Sequence, residues 1–188
     1  MKFTAQDRLE NKLKKKFKKK LGILGGTFDP AHIGHVKISV EAKKKFRINK
    51  VIWAITKKNP FKKKSLFSLK ERIKIAKKIT SKQKFIEILF FEKKIKSNKT
   101  IKLINYLKKK YNNTDIYFLM GADNLINFHK WYKWEKILLK SKILVFDRHG
   151  YKKKLMKSPT FKRFNKKKLE FIRFNKINIS SSKLKKIW

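Results

Sequence analysis

The chain has no cysteine. Disulfides, thiolate metal sites and cysteine nucleophiles are therefore excluded. Acidic residues are scarce, 12 Asp and Glu against 55 Lys and Arg, which leaves a formal charge of +43 over 188 residues. No apolar run approaches the ~20 residues that cross a bilayer as a helix. The basic N-terminus lacks the apolar stretch of a secretory signal. With 6 glycines and 3 prolines, there is no linker long enough to divide the chain into domains, and no internal repeat. These absences predict a soluble, cytoplasmic protein with a single domain.

What is present is ordinary in hydrophobicity and unusual in charge. Hydrophobic residues make up 41%, enough for a real core at this length. The lysine excess invites a nucleic-acid or anionic-membrane partner through counterion release and surface potential. Composition drift is the alternative, since the chain is rich in Lys, Asn, Ile and Phe, all drawn from AT-rich codons. The lysines are spread over every helical segment, whereas a nucleic-acid surface clusters its charge and favours Arg. No specific nucleic-acid partner is expected. Residues 1–19 read as a basic extension in which Leu9, Leu13 and Phe17 recur at helical spacing. No chemistry is assigned to it, and 20–188 is read as the domain.

From residue 20 onward, apolar runs alternate with amphipathic segments. Strands are predicted at 20–24, 51–55, 85–91, 115–120, 142–146 and 169–174. Helices are predicted at 35–46, after the capping box Ser68-Leu69-Lys70-Glu71, at 100–111 and at 124–140. Residues 148–168 read as loop-rich, with Pro159 as punctuation, and a last helical turn begins at Ser180. This alternation predicts an α/β fold with a doubly wound, mostly parallel sheet. Ligands of such sheets bind beyond the C-terminal strand ends, where strand order reverses. The loops after the first, fourth and last strands should face one crevice.

The stretch from Gly25 to His35 reads Gly-Gly-Thr-Phe-Asp-Pro-Ala-His-Ile-Gly-His. A strand ending in glycines and turning into a helix N-terminus is an anion site, because free amides and the helix dipole point at one spot. Glycine leaves room for close approach of a phosphate, and His32 and His35 add donors three residues apart. The spacing matches neither the dinucleotide fingerprint nor the P-loop. A glycine turn with two surface histidines is the plainer reading.

The string resembles the GTFDPxHxGH signature of the nucleotidyltransferase superfamily. Ile179 to Lys185 resembles its ISSTxxR motif, with Ser182 in place of Thr and Lys185 in place of Arg. The first change keeps the hydroxyl; the second keeps the charge but loses the bidentate fork. Residues 120–125 and 128–137 resemble the GADNL…FHxWxxWxxI segment of bacterial nicotinate-nucleotide adenylyltransferases. Val51-Ile52-Trp53 with Asn59-Pro60-Phe61-Lys62, the Asp147 to Tyr151 stretch, and Glu92 with Ser97 and Thr100 resemble other segments of that family. The likeness spans about residues 20–185.

This resemblance implies a Rossmann-like nucleotidyltransferase fold and transfer of an adenylyl group from ATP to nicotinate mononucleotide, with Mg²⁺ held mainly by the ATP phosphates. It implies that Gly25, Gly26, Thr27 and Phe28 line the α-phosphate. His32 and His35 would serve the phosphates and the reacting centre, with Ser180, Ser181, Ser182 and Lys185 at the β/γ end. His32, His35 and Lys185 are the implied catalytic residues. Asn59, Lys62, Ser97, Gly121, Asp123, Trp131 and Tyr132 are implied around the second nucleotide. Trp131 would stack on the pyridine ring, while Trp134 packs the core. Rival readings are a superfamily member acting on phosphopantetheine or nicotinamide mononucleotide, and a basic nucleic-acid-binding protein. Oligomeric state is not readable from the sequence.

Overall fold

The computed structural model describes residues 19–58, 65–147, 158–163 and 169–173. Six strands form one sheet: β1 (Lys19–Gly26), β2 (Lys50–Ile55), β3 (Ile86–Leu89), β4 (Thr114–Gly121), β5 (Lys142–Asp147) and β6 (Leu169–Arg173). Their order is β3-β2-β1-β4-β5-β6, and all five neighbouring pairs are parallel. The chain builds outward from β1 to β3, then returns to lay β4 beside β1. Strand order therefore reverses between β1 and β4, which places the ligand crevice at their C-terminal ends.

Both faces of the sheet are covered, which is why the strands read as continuous apolar runs. Along β1, Leu21 and Ile23 join one core cluster and Leu24 the other. The helices α1 (Ile33–Phe46) and α2 (Leu69–Thr80) cover the Leu24 face through Val36, Ile38, Ala42 and Ala76. The opposite face carries α3 (Glu92–Ile95), α4 (Thr100–Lys110), α5 (Ala122–Ile126) and α6 (Trp134–Lys140). Ile101, Ile104, Leu107, Leu125 and Ile137 bury there. The expected capping box is present on α2, with Ser68 Oγ accepting from the Glu71 N–H and Glu71 Oε2 accepting from the Ser68 N–H.

Three expectations need correction. The helix expected over 124–140 is broken into α5, a 3₁₀ turn (Phe128–Lys130) and α6, with Lys133 at φ 52° before the last piece. Leu125, Phe128, Trp131, Trp134 and Ile137 recur every third residue. On a continuous α-helix each would fall about 60° behind the one before, and the fourth would face away from the first. Breaking the helix lets all five meet one core. The third strand is shorter than 85–91, and Phe91 instead caps α3. Within the loop-rich stretch, Pro159 opens a short helix, α7 (Pro159–Arg163). Ser158 Oγ accepts from the Phe161 N–H there, a serine cap with proline at the first helical position.

Candidate active site

Helix α1 begins at the crevice, and its cap is made of two histidines. His32 is the N-cap residue, at φ −148° and ψ 168°, and its side chain accepts from the Gly34 N–H. That bond runs to Nδ1 at 3.1 Å, while His35 Nδ1 accepts from the His32 N–H at 3.2 Å. This is a capping box in which imidazoles replace the usual serine and glutamate. A ring nitrogen that accepts carries no proton, so the network assigns both rings the tautomer with the proton on Nε2. Two backbone amides thus orient two N–H donors at the positive end of a helix with no acidic residue in its first turn.

Packing holds these rings in place. The His32 and His35 centroids are 3.9 Å apart, and Phe28 lies 4.8 Å from His35. Phe28 in turn stacks on Trp53 at 4.8 Å. The Trp53 Nε1–H donates to Ser39 Oγ at 2.8 Å, and that hydroxyl donates to the His35 carbonyl at 3.0 Å. Phe28 has φ 49°, in the left-handed region. A bulky residue there carries a strain of about 1–3 kcal/mol that the surroundings must offset.

The surroundings include two groups whose anchoring roles the sequence did not reveal. Asp29 is 3% exposed, and its carboxylate accepts from the Leu66 N–H at 2.9 Å and the Phe67 N–H at 3.0 Å. Arg72, on α2, is 2% exposed and donates to the carbonyls of Thr27, Thr56, Lys57 and Phe67. Burial pulls its guanidinium below the ordinary value, opposed by the charges of Asp29 and Glu92. Its sequence signal was faint: an arginine where an amphipathic helix would place an apolar residue, in a chain that otherwise prefers lysine.

A cleft opens over the ends of β1 and β2. Gly25, Thr56, Glu92, Ser97, Lys99 and Phe118 are among its walls. A side chain at Gly25 would meet only the Phe118 ring, at 3.5 Å. Glycine here keeps space open at the cleft rather than supplying an unusual backbone angle. Glu92 Oε1 accepts from the Lys57 N–H at 3.1 Å. Burial pushes its carboxyl up, while that bond and the charges of Lys57 and Arg72 pull the other way. Ser97 Oγ accepts from the Lys99 N–H at 3.2 Å. Lys99 is the N-cap of α4, where no side chain caps the helix and no acid stands in its first turn.

The remaining residues singled out from the sequence divide into near, adjoining and undescribed. Gly26 and Gly121 end β1 and β4, two positions beyond the Leu24–Leu119 pair. Gly121 is the N-cap of α5, and Asp123 follows in its first turn. Trp131 is half-buried, packed edge-on against the cleft residue Phe118 at 6.0 Å and against Phe128 at 5.3 Å. Trp134 packs against Phe128 as well. Tyr132 is exposed, with the Lys99 ammonium 6.0 Å from its ring. Asn59, Lys62, Ser180, Ser181, Ser182 and Lys185 lie outside the described residues, as do most of the N-terminal extension and the Arg148 to Tyr151 stretch.

The profile of the cytidylyltransferase-like family matches residues 23–187. A protein of Pelagibacter ubique (strain HTCC1062), named a probable nicotinate-nucleotide adenylyltransferase, is 61% identical over 95% of this chain and 98% of its own length. A protein of the same name from Ruegeria sp. (strain TM1040) is 37% identical over 69% of this chain and 68% of its own. Among solved structures, the Plasmodium falciparum nicotinic acid mononucleotide adenylyltransferase complexed with NaAD matches with TM-score 0.72 and 22% identity. That match covers 89% of this chain and 83% of the other, and its likeness is one of fold. The doubly wound sheet, the histidine-capped helix at the strand reversal and these relatives agree: the chain belongs to the cytidylyltransferase-like family and, within it, to the nicotinate-nucleotide adenylyltransferases.

Proposed function

We propose that the protein transfers the adenylyl group of ATP to nicotinate mononucleotide, forming nicotinate adenine dinucleotide and pyrophosphate in the cytoplasmic synthesis of NAD. The observation that carries this reading is the pair His32–His35, whose Nδ1 atoms are both committed to backbone amides. The nucleophile is a phosphate oxygen of the mononucleotide, already anionic at neutral pH, so the site needs no general base. A bond forms from that oxygen to the α-phosphorus, and the bond from the α-phosphorus to the bridging oxygen breaks as pyrophosphate leaves. Donors fixed before the reaction act where charge accumulates, without reorganisation at the moment of transfer. The Nε2–H groups of His32 and His35, with the amides of Thr27 and Phe28, fill that role. Ser180, Ser181, Ser182 and Lys185 complete the grip at the far end of the triphosphate.

Among the described residues, no three His, Asp or Glu side chains gather in a way that could hold a metal ion. Mg²⁺ belongs in this proposal with the triphosphate oxygens, where it supplies neutralising charge. The acid rather than the amide is the preferred second substrate because of the cleft's polar end. Helix α4 points an uncapped N-terminus there, next to Lys99 and Ser97, and a pyridine carboxylate can supply the missing cap. Trp131 beside Phe118 offers the ring a flat apolar wall. Asn59, Lys62, Gly121, Asp123 and Tyr132 remain in the proposal as the surroundings of the mononucleotide. No described helix is long and apolar enough to cross a membrane.

Purified protein supplied with ATP, Mg²⁺ and either nicotinate or nicotinamide mononucleotide should release pyrophosphate chiefly with the acid. Silence with both nucleotides would sink the assignment. Equal turnover with both would leave the reaction standing and remove the acid preference.

A further inference from the structure

We infer that Arg72 is a positioning residue for the transfer, aiming the Phe28 amide at the reacting phosphate by holding the Thr27 carbonyl; this rests on the adenylyl-transfer reading of the site. The guanidinium reaches main-chain carbonyls in three short stretches, one after β1 and two in the connection between β2 and α2. Nη1 donates to Thr27 O at 2.6 Å and Thr56 O at 2.8 Å, Nη2 to Lys57 O at 3.1 Å, and Nε to Phe67 O at 3.1 Å. A trans peptide is planar, so the Thr27 carbonyl and the Phe28 N–H point opposite ways. Drawing the carbonyl toward α2 turns the amide away from it. Phe28 N lies 3.9 Å from where a side chain at position 26 would begin, and glycine there keeps that approach clear.

Two further features fit positioning. Phe28 sits at φ 49°, a conformation that must be held from both sides. Its ring is held by stacking on Trp53, and the preceding carbonyl by Arg72. Asp29 then secures the next turn by accepting from Leu66 and Phe67, just ahead of α2. Carbonyl oxygens near a triphosphate would also repel it, and Arg72 draws off the Thr27 and Thr56 dipoles. Only a planar fork serves four acceptors at once, so lysine, the cation this chain uses most, cannot replace it.

The deciding variant is Arg72→Lys, which keeps a cation in the same place. It should melt as a folded protein, with kcat lowered about 10- to 100-fold and KM for both substrates little changed, as expected for misplaced groups. Amide exchange should quicken in residues 27–29, 56–58 and 66–67 while β1 and β4 stay protected. Near-normal kcat, unchanged exchange in those loops, or a rise in KM alone would each overturn the inference. A variant that does not fold would make Arg72 a requirement of the fold and overturn it too. Should the wild-type protein release no pyrophosphate, the reading of the reaction fails by itself, and the exchange pattern still decides whether Arg72 orients the loop.

Discussion

In the proposed transfer His35 carries two duties on one ring: Nδ1 accepts from the His32 N–H at the start of helix α1, and Nε2–H serves the reacting phosphate. The two can be separated. Replacing His35 by Ala removes the acceptor for the His32 N–H and should cost about 1 kcal/mol of stability, the usual value of a lost cap. The same change should lower kcat by about 10²- to 10³-fold, the scale of one missing donor at a developing charge. Gln at this position suits a capping box, so His35→Gln should recover the melting temperature but little of the activity. A Gln variant with full activity would show that the imidazole donor is not used. Residues of this kind were legible in the sequence because their contacts are local: His35 bonds to a residue three positions away. Arg72 was not, since Thr27 and Thr56 lie 45 and 16 residues from it. Asp29 stands inside the motif, but its partners Leu66 and Phe67 are 37 and 38 residues away, so its anchoring role could not be read from its neighbours.

Short elements decide the shape of the cleft, and they were the least legible. Apolar spacing announced α1, α2 and α4, whose buried faces run for several turns. It misread residues 124–140, where a repeat of three imitates a helix while requiring breaks in it. It also missed α3, a four-residue helix that brings Glu92 to the cleft wall. Glu92 makes this element sensitive to pH. Burial raises its folded pKa above the ordinary value of 4.5, so the folded state binds more protons than the unfolded state just above that pH. Stability from this group is therefore fully present below pH 4.5 and lost as pH rises through the folded value. Glu92→Gln retains an acceptor for the Lys57 N–H and removes the titration. The melting temperature of the variant, relative to wild type, should thus be more favourable at pH 7 than at pH 4. An equal difference at both values would mean that the Glu92 carboxylate is as well solvated folded as unfolded.

At the scale of the molecule, the strand–helix alternation foretold the doubly wound sheet, because each parallel pair needs a crossover and the crossovers cover both faces. The charge has a geometry that composition alone does not disclose. In a parallel α/β sheet, helix C-termini lie at the edge opposite the strand C-termini. Lys43, Lys44 and Lys45 end α1, Lys77 and Lys78 fall in the last turn of α2, and Lys108, Lys109 and Lys110 end α4. These lysines complement helix dipoles and stand far from the crevice. Their pull on anionic nucleotides is a long-range field, which salt removes before it weakens the donors that touch substrate. The screening length falls from about 30 Å at 0.01 M salt to about 8 Å at 0.15 M. With a formal +43 on the chain, kcat/KM for ATP should drop about tenfold or more across that range as steering is lost. Above about 0.15 M it should level off, because only contacts shorter than the screening length remain. Turnover at saturating substrate should hold steady throughout, since in the proposed transfer His32 and His35 act at contact distance. A kcat/KM indifferent to salt would show that the lysine shell does not act on the substrates. A kcat that fell in parallel would place the salt-sensitive charges inside the site.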